Sequence, residues 1–256
     1  MKFPDPSRSR EPNGIIAVGG DLTVETLLEA YRAGIFPWPM QGYPLLWFSP
    51  PERAILRFDR MHVPRTLERM KRRGNFTFTV DQDFEAVMRG CATVPRPKPI
   101  GEVGADESPA KVESESQNGR TVIGLDDSSP DGIENNSPND AHKTTETWIT
   151  PEMHEAYVSL HRAGFAHSVE ARELADGKND DEIIGGIYGV EFDGHFAAES
   201  MFYKKPYASK LALLHLIETL RAKSIGWIDI QVMTPHMQSM GAELISRSEF
   251  LKMIRR

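Results

Sequence analysis

A single cysteine, Cys91, excludes an internal disulfide. The eight histidines form no zinc signature: His154 and His161 in HEAYVSLH stand seven apart instead of the four of HExxH. No metal is expected. No apolar run approaches the roughly 20 residues that cross a bilayer, and the opening MKFPDPSRSREPNG has no apolar core of a secretory leader. Together these absences lead to the expectation of a soluble, cytoplasmic protein whose stability comes from burial. At 256 residues it has room for one large domain or two of ordinary size.

Large apolar residues are scarce between Pro95 and Glu146, a stretch rich in Pro, Ser, Asn and Gly. Such a composition does not repay the entropy of ordering, so a flexible acidic insert or linker is expected. It holds eleven acids and five bases, a net −6 of the chain's −7. The remainder is close to neutral, so the acidic balance is no argument against a nucleic-acid partner.

Outside the insert, helix and strand patterns alternate. PNGIIAVGGD reads as a short strand, and Thr23 caps a helix, TVETLLEAYRA, that ends at Gly34. GIFPWP and LLWFSPPERAIL are broken by proline, which holds aromatic rings on loops and strand ends; Trp38 and Trp47 either stack on a base or cover a junction between layers. HVPRTLERMKRRG is a basic helix end with Arg65, Arg69, Lys71, Arg72 and Arg73, suited equally to a helix C-terminus and to a phosphate backbone. Asn75 to Val80 alternates as a strand, and Asp81 is expected to cap a short helix to Gly90. Thr150-Pro151 opens another helix, FAHSVEA resumes as a strand, and ADGKNDDE reads as an acidic turn.

The stretch from Ile183 to Val232 is the richest. Two apolar strands joined by Asp193-Gly194 form a hairpin, a helix follows from Ala208 to Lys223 with Ser209 as its expected cap, and WIDIQV is a third strand. Strand alternation puts Trp227, Asp229 and Gln231 on one face and Ile228, Ile230 and Val232 on the other. Asp229 and Glu199 are acids inside apolar strands, where an ionised carboxylate is costly without a partner. Each serves an active site, or is paired structurally with an Arg or a Ser hydroxyl. The order after Trp148 is an antiparallel meander followed by a crossover, an α+β pattern that resembles the fold shared by many N-acetyltransferases. Those enzymes often grip coenzyme A on a glycine-rich turn before a helix. The corresponding loop here is YKKPYASK, so no coenzyme A or other cofactor is expected.

FPWP with WFSPPERAIL, TWITPEMHEAY, GFAHSVE, GGIYGVEFDGHFAAESMFYKKPYASKLALLHL and WIDIQVMTPHMQSMGAELISRSEFL together resemble the leucyl/phenylalanyl-tRNA–protein transferases. The resemblance implies a small N-terminal α/β domain (1–94); the acidic insert (95–146), read from composition, departs from the family by its length. These are followed by a GNAT-like acyltransferase domain with a mainly antiparallel sheet (147–256). It also implies an enzyme that moves Leu, Phe or Met from aminoacyl-tRNA to the N-terminal amine of proteins beginning with Lys or Arg, marking them for N-degron proteolysis. By position, Ile187, Phe196, Leu213, Leu216, Leu220 and Ile228 would build the aminoacyl pocket. Trp38 and Trp148 would hold the terminal adenosine, and Glu199, Asp229 and Gln231 would surround the reacting centre. The five bases from Arg65 to Arg73 would grip tRNA phosphates. A coenzyme A-dependent N-acetyltransferase and a non-catalytic tRNA- or peptide-binding protein are the rival readings.

Overall fold

Threonine and glycine bound the first helix as their chemistry requires. The computed structural model describes residues 2–40, 42–93, 149–175 and 178–255, with side chains for all of these except 175 and 178–180. In α1 (Val24–Arg32) Thr23 Oγ1 accepts from the Thr26 N–H at 3.2 Å. Gly34 then turns the chain at φ 75°, where an added Cβ would lie 2.6 Å from Leu251. Strands β1 (Ile15–Val18), β2 (Phe36–Trp38) and β3 (Leu46–Phe48) form an antiparallel sheet in the order β1-β3-β2.

PPERAIL, expected to be broken by its prolines, instead forms β4 (Glu52–Arg57), an interior strand one in from the edge of a second sheet. Its prolines stop short of the strand, so every ladder N–H is kept. Next come α2 (Arg65–Arg73), β5 (Phe76–Val80) and α3 (Phe84–Cys91), and then, past the undescribed stretch, α4 (Pro151–Arg162) and β6 (Ala166–Ala175). The chain continues through β7 (Lys178–Phe192), β8 (His195–Tyr203), α5 (Ala208–Ala222), β9 (Trp227–Gln231), α6 (Pro235–Ser239), β10 (Glu243–Ser246) and α7 (Arg247–Ile254). Seven strands pair in the order β10-β4-β9-β8-β7-β6-β5. All neighbours are antiparallel except β8 and β9, joined by the α5 crossover. The fold class is α+β. This sheet takes strands from both sides of residue 94, and the described residues form one unit.

Several local expectations give way to better chemistry. The cap of α3 is Asp83, whose Oδ1 accepts from the Ala86 N–H, while Asp81 sits at φ 57° and binds His167 and the Ser168 N–H. Tyr207, at φ 71° and without a side-chain cap bond, precedes α5, and Ser209 lies within its first turn. The acidic ADGKNDDE is mostly strand, because β6 and β7 pair through Leu174↔Asn179 and Ala175↔Lys178. Trp47 is fully buried, donating to Gly19 O at 2.8 Å and meeting Phe3 edge-on, so it belongs to the core.

The large sheet has two covered faces. One carries α1, α3, α4 and α7, with Ile55, Tyr157, Tyr188, Ala197 and Phe250 in a single apolar cluster. The other carries α5 and α2, with Leu56, Leu67, Ile187, Phe196, Leu213 and Ile228 in a second. No helix among the described residues is long and apolar enough to cross a membrane.

Candidate active site

Two strand irregularities bring the polar residues together. Between β7 and β8 the register shifts, Tyr188 pairing with Ser200 and Gly189 with Ala198, so that Glu199 has no opposite number. Gly189 is required there, since a Cβ would lie 2.2 Å from Ala197 O. Between β4 and β9 the register shifts again, Ile55 pairing with Asp229 and Ala54 with Gln231. Bulges of this kind re-aim side chains and end pairing. The parallel β8–β9 pair has one register pair, Ala197↔Asp229, and two residues further on Gln231 Nε2 donates to Glu199 Oε1 at 2.7 Å. A side-chain bond thus spans the strands beyond their last backbone register.

Gln231 itself is strained. Its φ is 56°, and the Val232 N–H bonds Ile230 O at 2.6 Å across it, a γ-turn of the disfavoured hand. Its own N–H donates to Asp229 Oδ1 at 2.9 Å. Asp229 is held in turn by Arg53, whose Nε and Nη2 reach Oδ1 and Oδ2 at 2.8 and 2.6 Å. The Arg53 guanidinium lies 4.5 Å from the centroids of both the Phe36 and Phe250 rings, and both members of the ion pair are about 2% exposed. At the other end, Tyr157 donates to Glu199 Oε2 at 3.3 Å and shares a 2.5 Å hydrogen bond with Tyr31. Burial, with Glu199 and Tyr157 nearby, raises the Tyr31 hydroxyl well above its ordinary pKa, so it stays protonated.

Asp229, Gln231 and Glu199, the two acids and the amide expected from the sequence, therefore meet in one buried chain. A carboxylate only accepts, so the Gln231 amide nitrogen must face Glu199, and its Oε1 has no donor among the described residues. The six expected pocket residues also gather, each less than 5% exposed, but they pack under α5 on the opposite face. Ile228 and Asp229 are neighbours in sequence that face different layers, and the bulge at Glu199 switches β8 so that Phe196 and Phe202 belong to different clusters.

Trp38 is half-buried and meets Phe36 and Phe48 edge-on at 5.9 and 6.3 Å, one ring away from Arg53. Trp148 lies outside the described residues. All five basic residues of α2 are exposed; Lys71 pairs with Glu218, while Arg65, Arg69 and Arg72 have no ion-pair partner among the described residues. Arg53, Tyr31 and Tyr157 were not singled out from the sequence. The available signal for Arg53 was its place in ERAIL, a charge facing the same way as Ile55 in an apolar strand; for the tyrosines, their place on the apolar stripes of their helices gave none.

Residues 55–102 and 108–255 match the family model described as leucyl/phenylalanyl-tRNA protein transferase, and 20–51 match that of its N-terminal domain. The leucyl/phenylalanyl-tRNA–protein transferase of Anaeromyxobacter sp. (strain Fw109-5) is 40% identical over 98% of this chain and 85% of its own length. That of Desulfatibacillum aliphaticivorans is 40% identical over 98% of this chain and 86% of its own. That of Colwellia psychrerythraea (strain 34H / ATCC BAA-681) is 36% identical over 94% and 80%.

Proposed function

The chain belongs to the leucyl/phenylalanyl-tRNA protein transferase family, and on that premise we propose that it moves Leu, Phe or Met from tRNA to proteins whose first residue is Lys or Arg. The coarser activity, transfer of an aminoacyl group from its tRNA to a protein, comes with the family. The proposed product is a cytoplasmic protein carrying an extra N-terminal residue and marked for N-degron proteolysis. The observation that carries the assignment of the site is the junction of Glu199, Gln231 and Asp229 at two bulges where β8 and β9 stop pairing.

An aminoacyl ester is already activated, so the enzyme's task is alignment, proton removal and stabilisation of the oxyanion. In the proposed step the acceptor's neutral α-amine attacks the ester carbonyl. A C–N bond forms, the C–O bond to the terminal ribose breaks, and the amine's proton ends on the released hydroxyl. Gln231 Oε1 accepts from the attacking amine, and Glu199 offers the nearby negative charge that favours a cationic N-terminal Lys or Arg. Asp229 acts as an orienting group, because Arg53 and the Gln231 N–H occupy three of its roughly four acceptor positions. Ile187, Phe196, Leu213, Leu216, Leu220 and Ile228 are proposed to receive the aminoacyl side chain; because they pack on the other face of the sheet, that side chain would have to enter where β8 and β9 stop pairing. Trp38, with Trp148, is proposed to hold the terminal adenosine against the small sheet, and the exposed bases of α2 to grip phosphates.

The deciding test is transfer itself. Purified protein, Leu-tRNA or Phe-tRNA and a peptide beginning with Lys should yield the peptide lengthened by one residue in a mass spectrum, and Gln231→Ala should slow this at least tenfold. Extension of peptides regardless of their first residue would remove the acceptor assignment. Neutralising Arg65, Arg69 and Arg72 should reduce the slope of log binding constant against log salt by about 3 for a duplex-like acceptor stem; an unchanged slope would place the tRNA elsewhere.

A further inference from the structure

Arg53 belongs to none of the roles above, yet it is among the largest side chains fully enclosed by the protein. It cannot meet a phosphate at the surface. Its planar fork is spent on Asp229, its guanidinium carbon lies over the Phe36 and Phe250 rings, 4.5 Å from each centroid, and its remaining nitrogen points toward Gly34 O at 3.5 Å. Stability does not call for an ion pair at such a place, because apolar side chains of similar volume commonly serve as well or better. What the pair supplies that apolar residues would not is an acceptor fixed in direction. Asp229 Oδ1 takes the Gln231 N–H at 2.9 Å, and that bond sits at the point where β9 leaves the regular ladder.

We propose that Arg53 is a positioning residue for aminoacyl transfer: by clamping Asp229 it holds the strained turn at Gln231 and so aims the Gln231 amide at Glu199. The chain of causes is short. Bidentate binding fixes the plane of the Asp229 carboxylate. The carboxylate fixes the Gln231 backbone at a φ that only a surrounding structure maintains in a residue other than glycine. The backbone then fixes the side chain, whose 2.7 Å bond to Glu199 is the link between β8 and β9 at the site. Phe36 extends the clamp outward, since its ring lies under the Arg53 guanidinium and packs against Trp38. Lysine in place of Arg53 keeps the charge and loses the fork, so the two residues are not interchangeable here.

The inference rests on Gln231 and Glu199 serving the transfer step, and the experiment separates the two. Rates with Phe-tRNA and a Lys-initiated peptide are measured for Arg53→Lys, Gln231→Ala and the double variant, each checked for folding by near-UV circular dichroism. Arg53→Lys should lower kcat at least tenfold with KM for aminoacyl-tRNA within about twofold. The same substitution in the Gln231→Ala background should then change kcat less than twofold, because the path it acts through is already gone. An equal fall in both backgrounds, or a fall confined to KM, overturns the proposal. So does an unaltered rate in Arg53→Lys while Gln231→Ala is slow, and that outcome leaves the site assignment standing. An unaltered rate in Gln231→Ala takes both down. Should Arg53→Lys fail to fold, Phe250→Leu keeps the ion pair and removes one cover; it should lower kcat about threefold to tenfold without moving KM, and a wild-type kcat there overturns the proposal.

Discussion

The two faces of the seven-stranded sheet are built on opposite principles from the same strands. Under α5, Ile187, Phe196, Leu213, Leu216, Leu220 and Ile228 are held by contact alone, which depends on volume and little on direction. On the other face, Arg53, Asp229, Gln231, Glu199, Tyr157 and Tyr31 form a hydrogen-bonded chain inside an apolar surround. There each member depends on its neighbour, because an unmet buried polar group costs its full desolvation. The contrast teaches where tolerance ends. One step along β9, from Ile228 to Asp229, passes from a position that accepts substitutes to one that does not.

Breaking the polar face should give the largest effect. Asp229→Ala leaves the guanidinium of Arg53 buried and unpaired, and a loss of about 3–5 kcal/mol is expected from equilibrium denaturation. Replacing both partners, Arg53→Met with Asp229→Leu, should return most of that stability and none of the transfer activity. If the double replacement were as unstable as Asp229→Ala alone, the pair would be holding the fold by more than its charge. On the apolar face Leu213→Ala should cost about 3 kcal/mol through lost contacts and a cavity, while Leu216→Met should cost less than about 1.5 kcal/mol. Similar losses for those two would remove the claim that volume is what this face requires.

Much of this division could be read from the residues. Period-2 alternation in WIDIQV put Asp229 and Ile228 on different faces, the Asp193-Gly194 turn set the hairpin, and Thr23, Gly34 and Thr150 bounded their helices. Of the alternatives expected for the acids, structural pairing with an arginine holds for Asp229. What alternation could not show is where it fails. The bulges at Glu199 and Ile230 depend on which strands become neighbours, β4 above all, and that strand lay hidden between prolines and aromatics. The tyrosines escaped because a core tyrosine and a hydrogen-bonding one look alike on a helical stripe.

A pH scan sharpens the comparison from the apolar side. His236 opens α6 beside Lys210, and its Nε2 is buried without a hydrogen-bond partner among the described residues. Burial first, then the Lys210 charge, lowers its pKa from 6.5 to about 4. A base whose folded pKa is depressed binds its proton more readily when unfolded, so stability falls as pH drops from 6.5 toward 4. The loss at pH 4 should be about 2 kcal/mol, reduced from the full shift because the ring is partly exposed. His236→Gln should flatten that limb in urea titrations. Asp81, lowered in pKa overall because its bonds to His167 and Ser168 outweigh burial, loses its contribution only below about 3.8, outside this window.

The smallest stability change should come with a large change in rate. Gln231 is held at φ 56°, where a side chain costs about 1 kcal/mol and glycine costs nothing. Gln231→Gly therefore relieves strain while deleting the bond to Glu199, itself worth about 1.5–3 kcal/mol when one partner is charged. Tyr157 still satisfies one Glu199 oxygen, and water can enter the space the amide leaves, so the net stability change should stay within about 1 kcal/mol. Transfer should nevertheless fall at least tenfold, because the backbone is freed and the amide that faces the acceptor amine is gone. A variant that unfolds several kcal/mol more easily would show that the link between β8 and β9 holds the sheet together, and the strained turn would then be a structural staple instead of a feature of the site.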